Sequence, residues 1–126
     1  DRYSDRKIIV RPHPRCPIQD IFQVYNNVVL QNPKQVPNTY DDFDLGFNNA
    51  HAVISYSSNP GIHAVLNGNN AFVGPESLAY PVANKDIKSI ENPQIFDRTQ
   101  WLNDYAYTEW TTEEIAQGLP FSRLTF

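Results

Sequence analysis

The sequence predicts an α/β fold: a Rossmann-like open parallel sheet flanked by helices, with a C-terminal helical extension. Three observations predict it. Ile8, Ile9 and Val10 form an unbroken apolar run, the pattern of a short strand buried on both faces. His51-Ala52-Val53-Ile54-Ser55-Tyr56 and Ala71-Phe72-Val73 are two further strand-like runs. Segments of helical spacing separate the runs, and a strand, helix, strand, helix, strand order is the signature of a doubly wound sheet.

The bulk numbers fit one such domain. A chain of 126 residues can bury one core but not two. A hydrophobic fraction of 40% and an aromatic fraction of 13% supply that core, so the chain reads as globular rather than disordered. A formal charge of −4 argues against nonspecific nucleic-acid binding, which rests on a basic surface. Cys16 is the only cysteine, so no internal disulfide can form and no thiolate metal cluster is expected. A single thiol is compatible with a reducing cytoplasm, and a cytoplasmic location is the expectation. No apolar run approaches the ~20 residues of a transmembrane helix, and no signal-peptide pattern opens the chain. The chain starts at Asp1 and contains no methionine, which reads as the C-terminal part of a longer polypeptide.

Each element has a local reason. Arg11-Pro12-His13-Pro14 must end the first strand, because two prolines this close cannot continue a ladder. Ile18, Ile21, Phe22, Tyr25, Val28 and Val29 fall at helical spacing and predict a helix over 18–30, with Asn32-Pro33 beyond its end. A polar connector follows, then a short helix over 41–49 in which Gly46 is a weak point. After the strand at 51–56, Asn59 is a good N-cap with Pro60 at the first helical position, and Gly68 suits the left-handed position that closes a helix. The strand at 71–73 ends in Gly74-Pro75. Residues 1–96 make the sheet domain on this reading, and 97–126 a helical extension of it. Asp97-Arg98-Thr99-Gln100 and Thr111-Thr112-Glu113-Glu114 have capping-box spacing, opening helices over about 98–109 and 112–117, the second closed by Gly118.

Ligands of open parallel sheets bind beyond the C-terminal ends of the strands. The loop Ser57-Ser58-Asn59-Pro60 lies there, at a helix N-terminus whose amides and dipole attract anions. Paired serines before a helix are also ordinary capping chemistry. His13, fixed between two prolines at another strand end, can donate to a phosphate oxygen or protonate one as a leaving group departs. Arg11 and Arg15 flank it and can add charge-assisted bonds. The bland reading is a rigid surface turn carrying basic residues. Glu76 and Ser77 follow the third strand and can also reach a ligand at that edge. Asp41-Asp42-Phe43-Asp44 lacks the glycine and distal Glu of an EF-hand loop, so it reads as a solvated helix start. No Walker A loop and no Gly-x-Gly-x-x-Gly is present.

The His13-Pro14 and Ser57-Ser58 pairs together resemble the C-terminal, nucleotide-sugar-binding half of GT-B-type glycosyltransferases. The similar types are bacterial sialyltransferases and capsule polysaccharide transferases, and the likeness covers roughly residues 7–80. The resemblance implies a glycosyltransferase donor-binding domain that is not fully active alone and needs no cofactor. Its substrate would be a CMP-, CDP- or UDP-linked sugar. It implies His13 as the catalytic group at the donor phosphate, with Ser57 and Ser58 binding that phosphate; Arg11, Arg15, Asn59, His63, Glu76 and Ser77 are further donor-binding candidates by their own placement. The family helix often carries Glu where His63 stands, so the donor preference of the family does not transfer through that position. An N-terminal acceptor domain or a second copy would be the partner. A different reading is a non-catalytic module that docks a partner through the C-terminal aromatics Trp101, Tyr105, Tyr107 and Trp110; those residues can equally cover the domain's own sheet.

Overall fold

The computed structural model describes residues 3–13, 16, 18–32 and 46–124, which form a mixed α/β structure with two small parallel sheets and a few helices. The chain divides into two compact units, Asp1–Ile95 and Phe96–Phe126.

In the first unit, β1 (Ile8–Val10) pairs in parallel with β2 (Val28–Leu30), Ile9 opposite Val29. The segment expected as a helix over 18–30 is therefore a turn-rich crossover ending in a strand. Local hydrogen bonds explain the change. The Asp20 carboxylate accepts the Phe22 N–H at 3.1 Å, and the Tyr25 N–H reaches back to the Phe22 carbonyl at 2.9 Å, which closes a turn. Short polar side chains compete in this way with helical bonding. Ile21 and Val24 are 69% and 80% exposed, so the apolar stripe buries too little to hold a helix in place. Val28 and Val29 are β-branched and join the ladder instead. Asn27 anchors the start of β2: its carbonyl takes the Ile8 N–H at 2.7 Å and its amide donates to the Arg6 carbonyl at 3.1 Å.

Most of the short helix expected over 41–49 lies outside the described residues. Its last part is a turn closed by the Ala50 N–H on the Phe47 carbonyl (3.0 Å), with Asn49 left-handed at φ 63°. Asparagine tolerates that conformation better than most residues.

The core sits in the next segment. β3 (Val53–Ser55), α1 (Asn59–Leu66) and β4 (Ala71–Val73) form a β–α–β unit whose strands are parallel, with Ile54 opposite Phe72. Helix α1 packs on both strands. Its buried stripe of Ile62, Ala64 and Val65 meets a core containing Val53, Ala71, Phe72 and Val73. Burying side chains as large as Ile62 and Val65 stabilises the unit by roughly 1.5–3 kcal/mol each. The helix ends as its sequence specifies: Gly68 is left-handed at φ 81°, its N–H reaches the Val65 carbonyl, and the Asn69 N–H reaches the Ala64 carbonyl at 2.8 Å. That pair of bonds is the Schellman closure. Beyond β4 the chain runs through short 3-10 turns at Tyr80–Val82 and Ile87–Ser89, with Ala79, Val82, Ala83 and Ile90 completing the core. Asn84 adds a parallel bridge beside Phe72.

The second unit holds α2 (Thr99–Thr108), α3 (Thr112–Ala116) and a 3-10 segment at Leu119–Arg123. Thr111 and Glu114 form the reciprocal capping box that their spacing predicts. At α2 the box is incomplete: the Asp97 carboxylate accepts the Thr99 N–H at 3.0 Å, but Gln100 turns forward to Asp104. Gly118, at φ 75°, supplies the reversal after α3. Arg123 then folds back between two rings, 3.7 Å from the Tyr107 centroid and 4.2 Å from that of Trp110.

Candidate functional site

The β3–α1–β4 unit gathers the greatest number of the expected ligand-binding residues. Ser57 and Ser58 follow β3 and lead into α1, while Gly74, Pro75, Glu76 and Ser77 follow β4. The two ends are joined directly, because the Gly74 N–H donates to the Tyr56 carbonyl at 2.8 Å. The N-terminus of α1 therefore opens beside the C-terminal ends of two parallel strands, the usual ligand edge of such units.

Within this edge the hydrogen bonding differs from the simplest capping expectation. Ser58, not Asn59, is the N-cap, and it has extended geometry (φ −81°, ψ 161°) without a side-chain capping bond. Its hydroxyl lies 2.8 Å from the Ser55 hydroxyl instead. Pro60 carries no N–H, and the Gly61 N–H turns back to the Ser58 carbonyl at 3.2 Å. The groups this turn can offer a ligand are thus the Ser57 and Ser58 hydroxyls, the Asn59 side chain and the Asn59 N–H. Ser57, Ser58 and Asn59 are all exposed.

The other residues divide clearly. His63 is half-buried one turn beyond Asn59, and residues four apart share a helix face, so it lies on the outward stripe above the helix start. Glu76 is exposed beside the strand end. Ser77 is buried, and its hydroxyl accepts the Ala79 N–H at 3.2 Å, so it organises the turn rather than presenting itself to a ligand. His51, at the opposite end of β3, meets the Ile90 carbonyl through Nε2 at 2.7 Å.

The loop after β1 is held by different partners. His13 is exposed, and its carbonyl accepts the Cys16 N–H at 2.9 Å. Pro14 and Arg15 lie outside the described residues. Arg11 donates through Nε to Gln31 (2.9 Å) and through one terminal nitrogen to the Gly46 carbonyl (3.0 Å), with the Phe47 ring 6.0 Å away. The Phe47 carbonyl in turn takes the Asn69 amide, just before β4 begins. Arg11 is thereby tied to the chain that leads into β3 and β4, not to the serines where β3 ends. At the start of β1, the Glu91 carboxylate accepts the Ser4 hydroxyl and pairs with Arg6 at 3.1 Å, and both contacts hold it below the ordinary carboxylate range.

Two features of this edge escape sequence reasoning. Gly61 lies so near β4 that an added Cβ would stand 2.9 Å from Cγ1 of Val73, and Tyr56 lies against Gly74. The only signal for either is a glycine where a helix former or a larger turn residue would also fit. Among the described residues, no cluster of three or more His, Cys, Asp or Glu side chains could hold a metal ion, and no helix is long and apolar enough to cross a membrane.

No protein family, curated protein or solved structure matches this chain.

Proposed function

We propose that this chain is the donor-binding half of a GT-B-like glycosyltransferase and binds the phosphate of a nucleotide-activated sugar at the start of α1. The observation that carries the reading is the parallel β3–α1–β4 unit, with Ser57, Ser58 and Asn59 exposed where the helix begins. A helix N-terminus attracts anions through its dipole and unbonded N–H groups, and hydroxyls beside it add donors. On this reading the two strand pairs belong to one Rossmann-like sheet; that every described pairing is parallel supports it, since parallel strands occur almost only in α/β folds.

His13 supplies the cation or proton at the departing phosphate, and the serines stabilise the charge that develops there. Glu76 flanks the donor, His63 reaches it from the second turn of α1, and Arg15 contributes a positive charge for the phosphate. Arg11 acts by fixing the loop through Gln31 and Gly46. The acceptor and the general base come from another domain or a second copy. The place of action is the cytoplasm, in capsule-type polysaccharide synthesis.

Isothermal titration of the folded chain with CMP, CDP, UDP and GDP tests this. Binding of at least one is expected, with Ser57→Ala and His13→Ala each weakening it by about 1.5–3 kcal/mol, the range for bonds to charged groups. Binding of none would overturn the reading.

A second reading has an observation of its own. No residue of α2, α3 or the 3-10 segment after them is buried, and Tyr107, Ile115 and Phe121 are each more than half exposed. Aromatic and aliphatic side chains displayed in this way suit a docking surface for a partner. A dimer by light scattering that ignores nucleotides and dissociates on Trp101→Ala would favour it.

A further inference from the structure

A concavity of about 370 Å³ opens where the chain enters β1 and β2, lined by Asp5, Val24, Tyr25, Asn26 and Asn27. It lies at the opposite end of β1 from His13. Its volume falls near the lower end of the ~300–1,000 Å³ usual for ligand pockets.

The walls are pinned through the backbone. The Asn27 carbonyl takes the Ile8 N–H at 2.7 Å, and the Asn27 amide donates to the Arg6 carbonyl at 3.1 Å. These two bonds clamp the chain beside Asp5 to the chain beside Asn26. The Ser4 hydroxyl oxygen accepts the Arg6 N–H at 3.1 Å, and the Arg6 guanidinium pairs with Glu91. The Tyr25 N–H closes on the Phe22 carbonyl at 2.9 Å. A site held in this way has little freedom to lose on binding.

Asp5, Tyr25 and Asn26 are exposed, and among the described residues their side chains meet no hydrogen-bond partner. Asn27 uses its amide on Arg6 and keeps Oδ1 to accept. The set is rich in acceptors, with the Asn26 amide and the Tyr25 hydroxyl as donors. Sugar hydroxyls, each of which both donates and accepts, match it. The Tyr25 ring and Val24 offer apolar surface to the C–H face of a sugar ring. Asp5 repels an anion. A simple cation finds a single carboxylate, followed in the chain by the cations Arg6 and Lys7.

We infer that this concavity binds a neutral saccharide, with Asp5 and Asn26 taking neighbouring hydroxyls and Tyr25 packing on the ring. The inference is independent of the donor-phosphate reading, which concerns the far ends of β3 and β4.

Amide NMR spectra of the full chain, titrated with glucose, galactose, mannose and N-acetylglucosamine, test it. At least one sugar should give saturable shifts at the amides of Arg6 and of residues 24–27. Asp5→Ala should weaken that binding roughly ten-fold, the size of one lost bond to a charged group. Tyr25→Ala should weaken it too, and Tyr25→Phe, which keeps the ring, should weaken it less. Resonances elsewhere should hold their wild-type positions in each variant, and Asn26→Ala gives a further removal should one variant fold poorly. No saturable shift at these amides with any of the sugars would overturn the site, as would binding that survives both Asp5→Ala and Asn26→Ala. Saturation by methylammonium chloride or calcium chloride in place of the sugars would make it a cation site and overturn the saccharide.

Discussion

Gly61 and Val73 set how closely α1 lies on β4: a Cβ at Gly61 would stand 2.9 Å from Cγ1 of Val73. Val73 is buried and β-branched, so it has neither the space nor the rotamer freedom to yield. Gly61→Ala gains about 1 kcal/mol of helix propensity but forces an overpacked contact costing ~1–3 kcal/mol. The clash should win, giving net destabilisation in urea unfolding. Val73→Ala in the same chain should relieve part of it, seen as favourable coupling in a double-mutant cycle.

Gly74→Ala should behave in the opposite way, although its nominal clash is worse. The atoms it would meet, 2.5 Å away, belong to the exposed Tyr56 ring, which can swing into solvent. Urea unfolding should show only a small loss of stability. The Tyr56 ring resonances should shift in NMR spectra.

Asn84 is buried and holds Gln94 at both ends: its Oδ1 accepts the Gln94 N–H at 2.8 Å and its amide donates to the Gln94 carbonyl at 3.1 Å. Asn84→Ala removes both bonds and strands backbone groups, at a cost of about 1–3 kcal/mol. Asn84→Asp should cost as well, since a carboxylate cannot donate to the Gln94 carbonyl. Thermal unfolding of the two variants checks this.

Asp97 carries a pH dependence. Its carboxylate accepts the Thr99 N–H and the Thr99 hydroxyl, and both bonds hold its pKa below the ordinary value for Asp. A carboxyl with a depressed pKa in the folded state contributes stability that is present above its unfolded pKa and is lost as pH falls through the folded one. The start of α2 should therefore fray only below about pH 4, the unperturbed range for Asp. Amide shifts of Thr99 and Gln100 followed from pH 7 to pH 2 should show it, and Asp97→Asn should abolish that titration.

Arg123 fastens the second unit. Its guanidinium lies between the Tyr107 and Trp110 rings and donates to the Tyr107 carbonyl at 2.5 Å. Exposed cation–π contacts are worth about 0.5–1 kcal/mol each, so Arg123→Ala should speed hydrogen exchange in α2 and α3. Arg123→Lys should restore part of the protection, because an ammonium keeps the charge but not the planar stack.

Legibility along the chain follows how local the deciding interactions are. The strand at Ala71–Val73, the helix closed by Gly68 and the capping box of Thr111 and Glu114 all stand where their residues predict, because each is decided within a few positions. The segment 18–30 misleads for a related reason. Its apolar spacing is helical, but the Asp20 turn and the pairing of Val28–Leu30 with β1 outweigh an apolar stripe that stays exposed. At the candidate site, the sequence points to Ser57, Ser58 and Asn59, whereas Ser77 looks available and is in fact buried in its own turn.

By itself the sequence determined the parallel β–α–β unit, the Gly68 closure that ends its helix, and the serines at the helix start. Those features depend on side-chain period, backbone permissiveness and short hydrogen bonds, all written into neighbouring residues. Only the tertiary structure decided that Arg11 turns to Gln31 and Gly46, that Gly61 brings α1 against Val73, that Arg123 lies between two rings, and that Tyr56 rests on Gly74 with a face to solvent. Each of these joins residues twelve or more positions apart. Such contacts are set by how the elements pack, which no local pattern encodes.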